Sequence, residues 1–160
     1  MRGRGTPQVL FTLLALLSMT SHSQQGVPHN GAALGQFTRP DSLKWVPSGG
    51  VQLAVLSGNP DKPGLFTIRL KVPDGYRVLA HWHPQDESIT VIQGTFLMGM
   101  GEKFDPAALQ QLPTGSFAFM PKEMRHFASC LGETIVQLHG MGPFVSNYVN
   151  PADDPDKKKE

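Results

Sequence analysis

The segment Phe66 to Val72 constrains the fold more than any other part of the chain. Phe66, Ile68, Leu70 and Val72 alternate with Thr67, Arg69 and Lys71. Successive side chains of a strand point to opposite faces, so this run builds a sheet with one dry face and one wet face. It is bracketed by the turn-forming stretch Ser57 to Gly64 and by Pro73-Asp74-Gly75. The same pattern of short run and turn recurs along the chain. Val51, Leu53 and Val55 alternate before it, and Arg77 to His83 is extended after it. Ser88 to Ile92 is rich in β-branched residues, Gln93-Gly94 predicts a turn, and Thr95 to Met100 returns. Gly115 to Met120, Glu133 to His139 and Phe144 to Val149 complete the set. Asp105 and Pro106 before Ala107 to Gln111 predict a helix of one to two turns, with Asp as cap and Pro in the first position. The 17 Gly and 14 Pro are spread through the 160 residues, which suits frequent turns. The expectation is an all-β domain with one short helical turn, closed as a barrel or a double-sheet roll.

The ends carry different signals. Arg2 and Arg4 precede an apolar run, Val9 to Met19, and Ser21 and Ser23 put small residues where a signal peptidase reads. The run is shorter than the ~20 residues that span a bilayer. The expected organisation is a signal peptide over 1–23, a linker or N-terminal arm over 24–44, a barrel over 45–150 and a charged tail over 151–160. The mature domain is then periplasmic or secreted, with no membrane attachment after cleavage. Gly3 separates the two arginines, which argues against a twin-arginine signal and for export in the unfolded state. A net charge of +1 gives no electrostatic case for nucleic acid. The single cysteine, Cys130, rules out an intrachain disulfide and is expected to be a small buried hydrophobe.

Of the six histidines, His22 and His29 fall outside the expected barrel. His81 and His83 are two apart, so on a strand both rings face one side. Pro84 ends the pairing, and Glu87 follows across the Pro84-Gln85-Asp86 turn, at hairpin distance from both rings. His126, in Pro121-Lys122-Glu123-Met124-Arg125-His126, is the candidate fourth member from an opposite strand. This spacing alone leaves open both a metal site and a pair of strand histidines without metal.

The flanking residues add a resemblance. Gly75, His81, His83, Glu87 and Gly94 match G-x5-HxH-x3,4-E-x6-G at every defined position. Gly115, Pro121 and His126 match G-x5-PxG-x2-H-x3-N, with Glu123 in place of the second Gly and Cys130 in place of the Asn. These two segments resemble the paired motifs of the cupin superfamily, and the chain looks most like its small single-domain "cupin 2" type, an RmlC-like jelly roll. The resemblance covers residues 45–150. It implies a jelly-roll β-barrel with His81, His83, Glu87 and His126 as ligands of one divalent transition metal, and it suggests a homodimer.

Three imidazoles and a carboxylate suit Zn, Cu, Fe, Ni or Mn. Loading outside the cytoplasm favours Cu and Zn by affinity order. Leu79 shares strand parity with the histidines and is expected to line the pocket. Gln137 and His139 share a face of a late strand and are candidate polar groups for the cavity. Trp82, between the ligands, is expected on the outer wall, and Phe96, Met98 and Met100 in the core. The resemblance implies dioxygenases, decarboxylases, isomerases and lyases. A dioxygenase-type oxidoreductase acting on a small organic molecule is the first expectation, with Glu87 as candidate base. A non-catalytic metal- or ligand-binding barrel is the alternative.

Overall fold

A computed structural model describes residues 35–155 and residue 157. The expected signal peptide, most of the expected linker, and His22 and His29 lie outside these residues. The chain divides into residues 1–36 and 37–160, and every described element belongs to the second unit. Nine strands form it: β1 (Val46–Ser48), β2 (Val51–Ser57), β3 (Gly64–Val72), β4 (Val78–Trp82), β5 (Glu87–Met100), β6 (Gln110–Pro113), β7 (Phe117–Met120), β8 (His126–Gly142) and β9 (Asn147–Tyr148). The only helices among the described residues are three 3₁₀ turns, Pro40–Ser42, Pro106–Ala108 and Pro151–Asp153. None is long or apolar enough to cross a membrane.

The strands make one antiparallel sheet curled on itself, in the order β1-β2-β3-β8-β4-β9, with β5 joining β6, β7 and β8. The long strand β8 is the seam. Its first residues pair with β4, its later ones with β3, and β5 runs along it from Glu87↔Gly140 to Met100↔His126. The jelly-roll architecture follows from alternation. Phe66, Ile68 and Val72 turn inward at 1–2% exposure, joined by Ile89, Val91, Val136 and Leu138 from β5 and β8. Thr67, Arg69 and Lys71 face the other way, where Lys71 sits 4.7 Å from the Trp45 ring centroid.

Two local expectations are corrected. The turn predicted at Gln93-Gly94 is a bulge inside a single 14-residue strand, with register shifts on both sides of Gln93. Gly94 takes φ +82°, and a Cβ there would lie 2.6 Å from Thr134 Oγ1 and 2.7 Å from the Glu133 carbonyl oxygen. The strand kinks and continues because β8 still offers its edge opposite. The helix predicted over Ala107–Gln111 is only a three-residue turn. Asp105 caps it by accepting from Ala107 N at 2.9 Å, but Gln110–Pro113 leave to pair with Thr95–Met98. A helix this short is marginal, and the open edge of β5 satisfies the same backbone groups better.

Glu123 is the one non-glycine residue with positive φ among those described, at +65°. It occupies the motif position where glycine is usual, and it adopts the backbone conformation glycine would take. Glu123→Gly should therefore raise stability by about 1 kcal/mol, because the left-handed conformation strains any residue with a Cβ. Chemical denaturation of the two chains measures this directly. An unchanged midpoint would show that Glu123 bears no strain.

Candidate metal centre

His81 is carried by β4, His83 follows that strand, Glu87 opens β5 and His126 opens β8. His81 and His126 are register partners across the β4–β8 ladder. The loops around them are tied together: Glu123 N donates to the His83 carbonyl at 2.8 Å, and Lys122 N donates to Asp86 Oδ1 at 2.8 Å. Sequence-distant residues thus reach one point through two strand starts and a pinned pair of turns. All four side chains are buried, at 2–6% exposure.

Ring centroids of His81 and His126 are 4.3 Å apart, those of His81 and His83 4.9 Å, and those of His83 and His126 5.4 Å. The three histidines each offer a ligand nitrogen within 4.8 Å of the others. Glu87 Oε2 lies 3.5 Å from His126 Nε2 and 3.7 Å from His83 Nε2.

Hydrogen bonds to the main chain assign the tautomers. Nδ1 of His81 faces the Leu79 carbonyl at 2.8 Å, that of His83 the Val145 carbonyl at 2.9 Å, and that of His126 the Met124 carbonyl at 2.9 Å. A carbonyl oxygen can only accept, so each neutral ring carries its proton on Nδ1 and leaves a lone pair on Nε2. Burial holds the rings neutral. It lowers His81 to about 3, aided by His126 and His83, and lowers His83 to about 4. His126 is lowered by the same cause. Burial pushes the Glu87 carboxyl up to about 8. The contacts between Glu87 and the two rings are therefore a protonated acid beside neutral imidazoles rather than ion pairs.

His83 Nε2 and Glu87 Oε2 are buried and have no hydrogen-bond partner. Buried polar atoms without partners are rare and costly. Here they sit beside further lone-pair nitrogens, a donor set that a divalent transition metal satisfies and that little else does. The buried His81, His83 and His126 cluster can thus hold a metal.

The titrations set a pH dependence for the metal-free chain. The three lowered histidines contribute stability present above pH 6.5, which is lost as pH falls toward their folded values. The raised Glu87 contributes stability present below about 4.5 and lost as pH rises toward 8. Glu87→Gln should therefore gain in melting temperature relative to the parent chain from pH 5 to 8 and hold constant above. A difference that stays flat across that range would show that Glu87 is not a buried acid.

The cluster faces a cavity of ≈510 Å³ inside the curled sheet. Phe96 and Met98 line it as well as belonging to the core; Met100 is 51% exposed and lies outside that core. Three other expectations move. Val78, not Leu79, lines the cavity, because a bulge sets two residues of β4, Leu79 and Ala80, against one of β8, Phe127, between Val78 and His81 and so reverses strand parity. Leu79 acts through its carbonyl on His81. Gln137 and His139 lie outside the cavity wall, since Val136 and Leu138 take the inward positions of β8 at 1% and 4% exposure. They form a relay instead: Arg69 Nε donates to Gln137 Oε1, Gln137 Nε2 to His139 Nε2, and His139 Nδ1 to Thr67 Oγ1, each at 3.0 Å. Trp82 is half-buried with the Arg125 guanidinium 5.6 Å over its ring, and Cys130 is buried with its thiol pushed up to about 11.

Sequence reasoning missed Phe144, which stacks on His83 at 4.4 Å, and Tyr148, which pairs with His81 and lies 5.6 Å from it ring to ring. The sequence places both in a strand over Phe144 to Val149, of which only Asn147–Tyr148 is strand, and Phe144 lies in the connection before it.

Residues 35–145 match the family model described as the ChrR cupin-like domain. No curated protein matches the chain. Among solved structures, the polyketide cyclase RemF from Streptomyces resistomycificus is similar with a TM-score of 0.61 at 14% identity, over 79% of this chain and 93% of that one. KdgF from Halomonas sp. gives 0.53 at 23% identity, over 66% and 93%. An RmlC-like cupin from Shewanella frigidimarina gives 0.54 at 18%, over 67% and 90%. At these identities the likeness is one of fold, and it agrees with the curled sheet described above. The family match takes in both motif segments and most of the barrel, and the chain belongs to the ChrR cupin-like family of the cupin superfamily.

Proposed function

We propose that this chain is an exported metal-dependent cupin enzyme, a dioxygenase-type oxidoreductase acting on a small organic molecule. One observation carries the reading: three imidazole lone pairs and an unpartnered buried carboxyl oxygen converge on the wall of an apolar cavity. The ligands on this reading are His81, His83, His126 and Glu87. A bound divalent metal would supply Lewis-acid or one-electron chemistry. The chain's own part is to hold each imidazole by its Nδ1 proton, to exclude water with Phe144 and the apolar walls, and to keep a proton acceptor in Glu87. That carboxyl gives up its proton when a cation binds and can take one from a substrate if it swings clear. The N-terminal apolar run supports work outside the cytoplasm, and mature protein beginning at Gln24 is the expected result of N-terminal sequencing. The superfamily resemblance supports a homodimer, which sedimentation would show as twice the chain mass.

Elemental analysis of protein recovered from the exported fraction tests the reading, followed by oxygen uptake with small phenols, keto acids and thiols. About one Zn, Cu, Fe, Mn or Ni per chain with substrate-dependent oxygen uptake supports it. Absence of metal removes it, while one metal without turnover on any of the three classes leaves the barrel as a binding protein. Glu87→Gln should retain some metal but lose turnover by a factor on the order of 10² or more. Retained turnover in that variant would remove the base role and leave Glu87 as a ligand only.

A further inference from the structure

A second cavity, of ≈370 Å³, lies where β6 and β7, each paired to β5 but not to the other, leave the curled sheet open. Met98, Met100, Leu112, Ala118 and Met120 line it, with the exposed Ala108 at its mouth, and no described charged residue does. Strand register brings this cavity to the histidine cluster. Met100 pairs with His126 across β5 and β8, and Met120 pairs with Glu87 across β7 and β5. Directly opposed residues of an antiparallel pair share a face, with Cβ atoms about 4.5–5.5 Å apart. Met98, one strand repeat from Met100, lines this cavity and the larger one alike. Met98 and Met120 are buried, at 4% and 5% exposure, and Met100 is 51% exposed. The three thioethers thus lie between solvent and the positions of Glu87 and His126.

Dioxygen is small, neutral and apolar. It gains on leaving water for such a lining, where a polar organic molecule would lose its hydrogen bonds to solvent. Methionine is unbranched and flexible, so Met98 and Met120 can turn aside for a diatomic molecule while the backbone stays in place. An organic molecule seated in the ≈510 Å³ cavity lies over the histidines and closes that approach, so a second reactant needs a way of its own. We infer that dioxygen reaches the histidine cluster through the cavity between β6 and β7, past Met100, Met120 and Met98, while the organic molecule enters through the larger one. The inference deepens the dioxygenase reading and rests on it for the use made of the gas; the path itself belongs to the metal-free chain and is tested without turnover.

Methyl relaxation by dissolved dioxygen tests it, because the paramagnetic gas speeds the relaxation of any methyl group it visits. The full chain, labelled at the methyls of Met and Val, is compared by NMR under dioxygen and under dinitrogen, both zinc-loaded and metal-free. Dioxygen should relax the Met98 and Met120 methyls at least about threefold more than those of Val91, which is 2% exposed and lines neither cavity. Ala118→Phe, within the groove, and Ala108→Trp, at its mouth, should each bring that ratio back toward one. Ala108 is exposed, so the second variant gives a reading even where the first fails to fold. A ratio near one in the parent chain overturns the inference. A ratio that no folded variant lowers also overturns it, since the gas then arrives by another way. Failure of the dioxygenase reading shows separately, as no substrate-dependent oxygen uptake by the metal-loaded chain, and the relaxation ratio then still decides whether dioxygen takes this path.

Discussion

His126→Ala should empty the site. Metal content is expected to fall from about one per chain to less than a tenth, with an affinity loss on the order of a hundredfold or more. The reason lies in the geometry. His126 pairs in register with His81, brings the nitrogen nearest Glu87, and is held at Nδ1 by the Met124 carbonyl. Without it, His81 and His83 face a carboxyl that burial keeps protonated. The metal-free melting temperature should change little, because the truncated ring borders an existing cavity and leaves no sealed void. Metal added in large excess should stabilise the parent chain by about 2.7 kcal/mol at a hundred times Kd and the variant by far less. Calorimetry with and without metal reads both quantities. Equal stabilisation of the two chains would place the metal somewhere other than this cluster.

Phe127→Ala should produce the largest loss of stability, about 3–5 kcal/mol, which for a domain of this size is a fall in melting temperature of roughly 10–20 °C. Phe127 follows His126 on β8 and turns to the opposite face, yet it is 0% exposed. Its ring packs 5.3 Å from that of Phe104 and fills the space left by Gly99, where a Cβ would stand 2.3 Å from the ring. Thermal unfolding of the metal-free chain isolates this effect from metal affinity. A loss below about 1 kcal/mol would mean that Phe104 and its neighbours collapse into the gap. Phe127→Leu should cost markedly less, since it keeps most of the buried volume.

The parts of this fold legible in the sequence are those where local spacing and tertiary position agree. The alternation from Phe66 to Val72 is the alternation found in β3, and the motif spacing of His81, His83, Glu87 and His126 matches four side chains now seen together. The departures all involve information held by a neighbouring strand. Gln93-Gly94 suits a turn and a bulge equally well, and only β8 running past it decides. Gln110 and Gln111 suit a helix until the edge of β5 is available. Leu79 has the parity of His81 by counting, but an extra residue in the ladder hands its place to Val78. Gln137 and His139 do share a face, and the apolar neighbours Val136 and Leu138 show that it is the outer one. Phe144 and the Val145 carbonyl reach His83 across a gap of about sixty residues, a distance that no local pattern encodes.

The three bonds that orient the histidines all end on main-chain carbonyls. A carbonyl is supplied by whatever residue occupies the position, so point substitutions at Leu79, Met124 or Val145 alter the side chain and leave the acceptor in place. The imidazole frame is thereby insulated from sequence drift in its immediate surroundings. Changes to the carboxylate at position 87 or to the side chains of the cavity wall can therefore alter the chamber while the imidazole frame stays fixed.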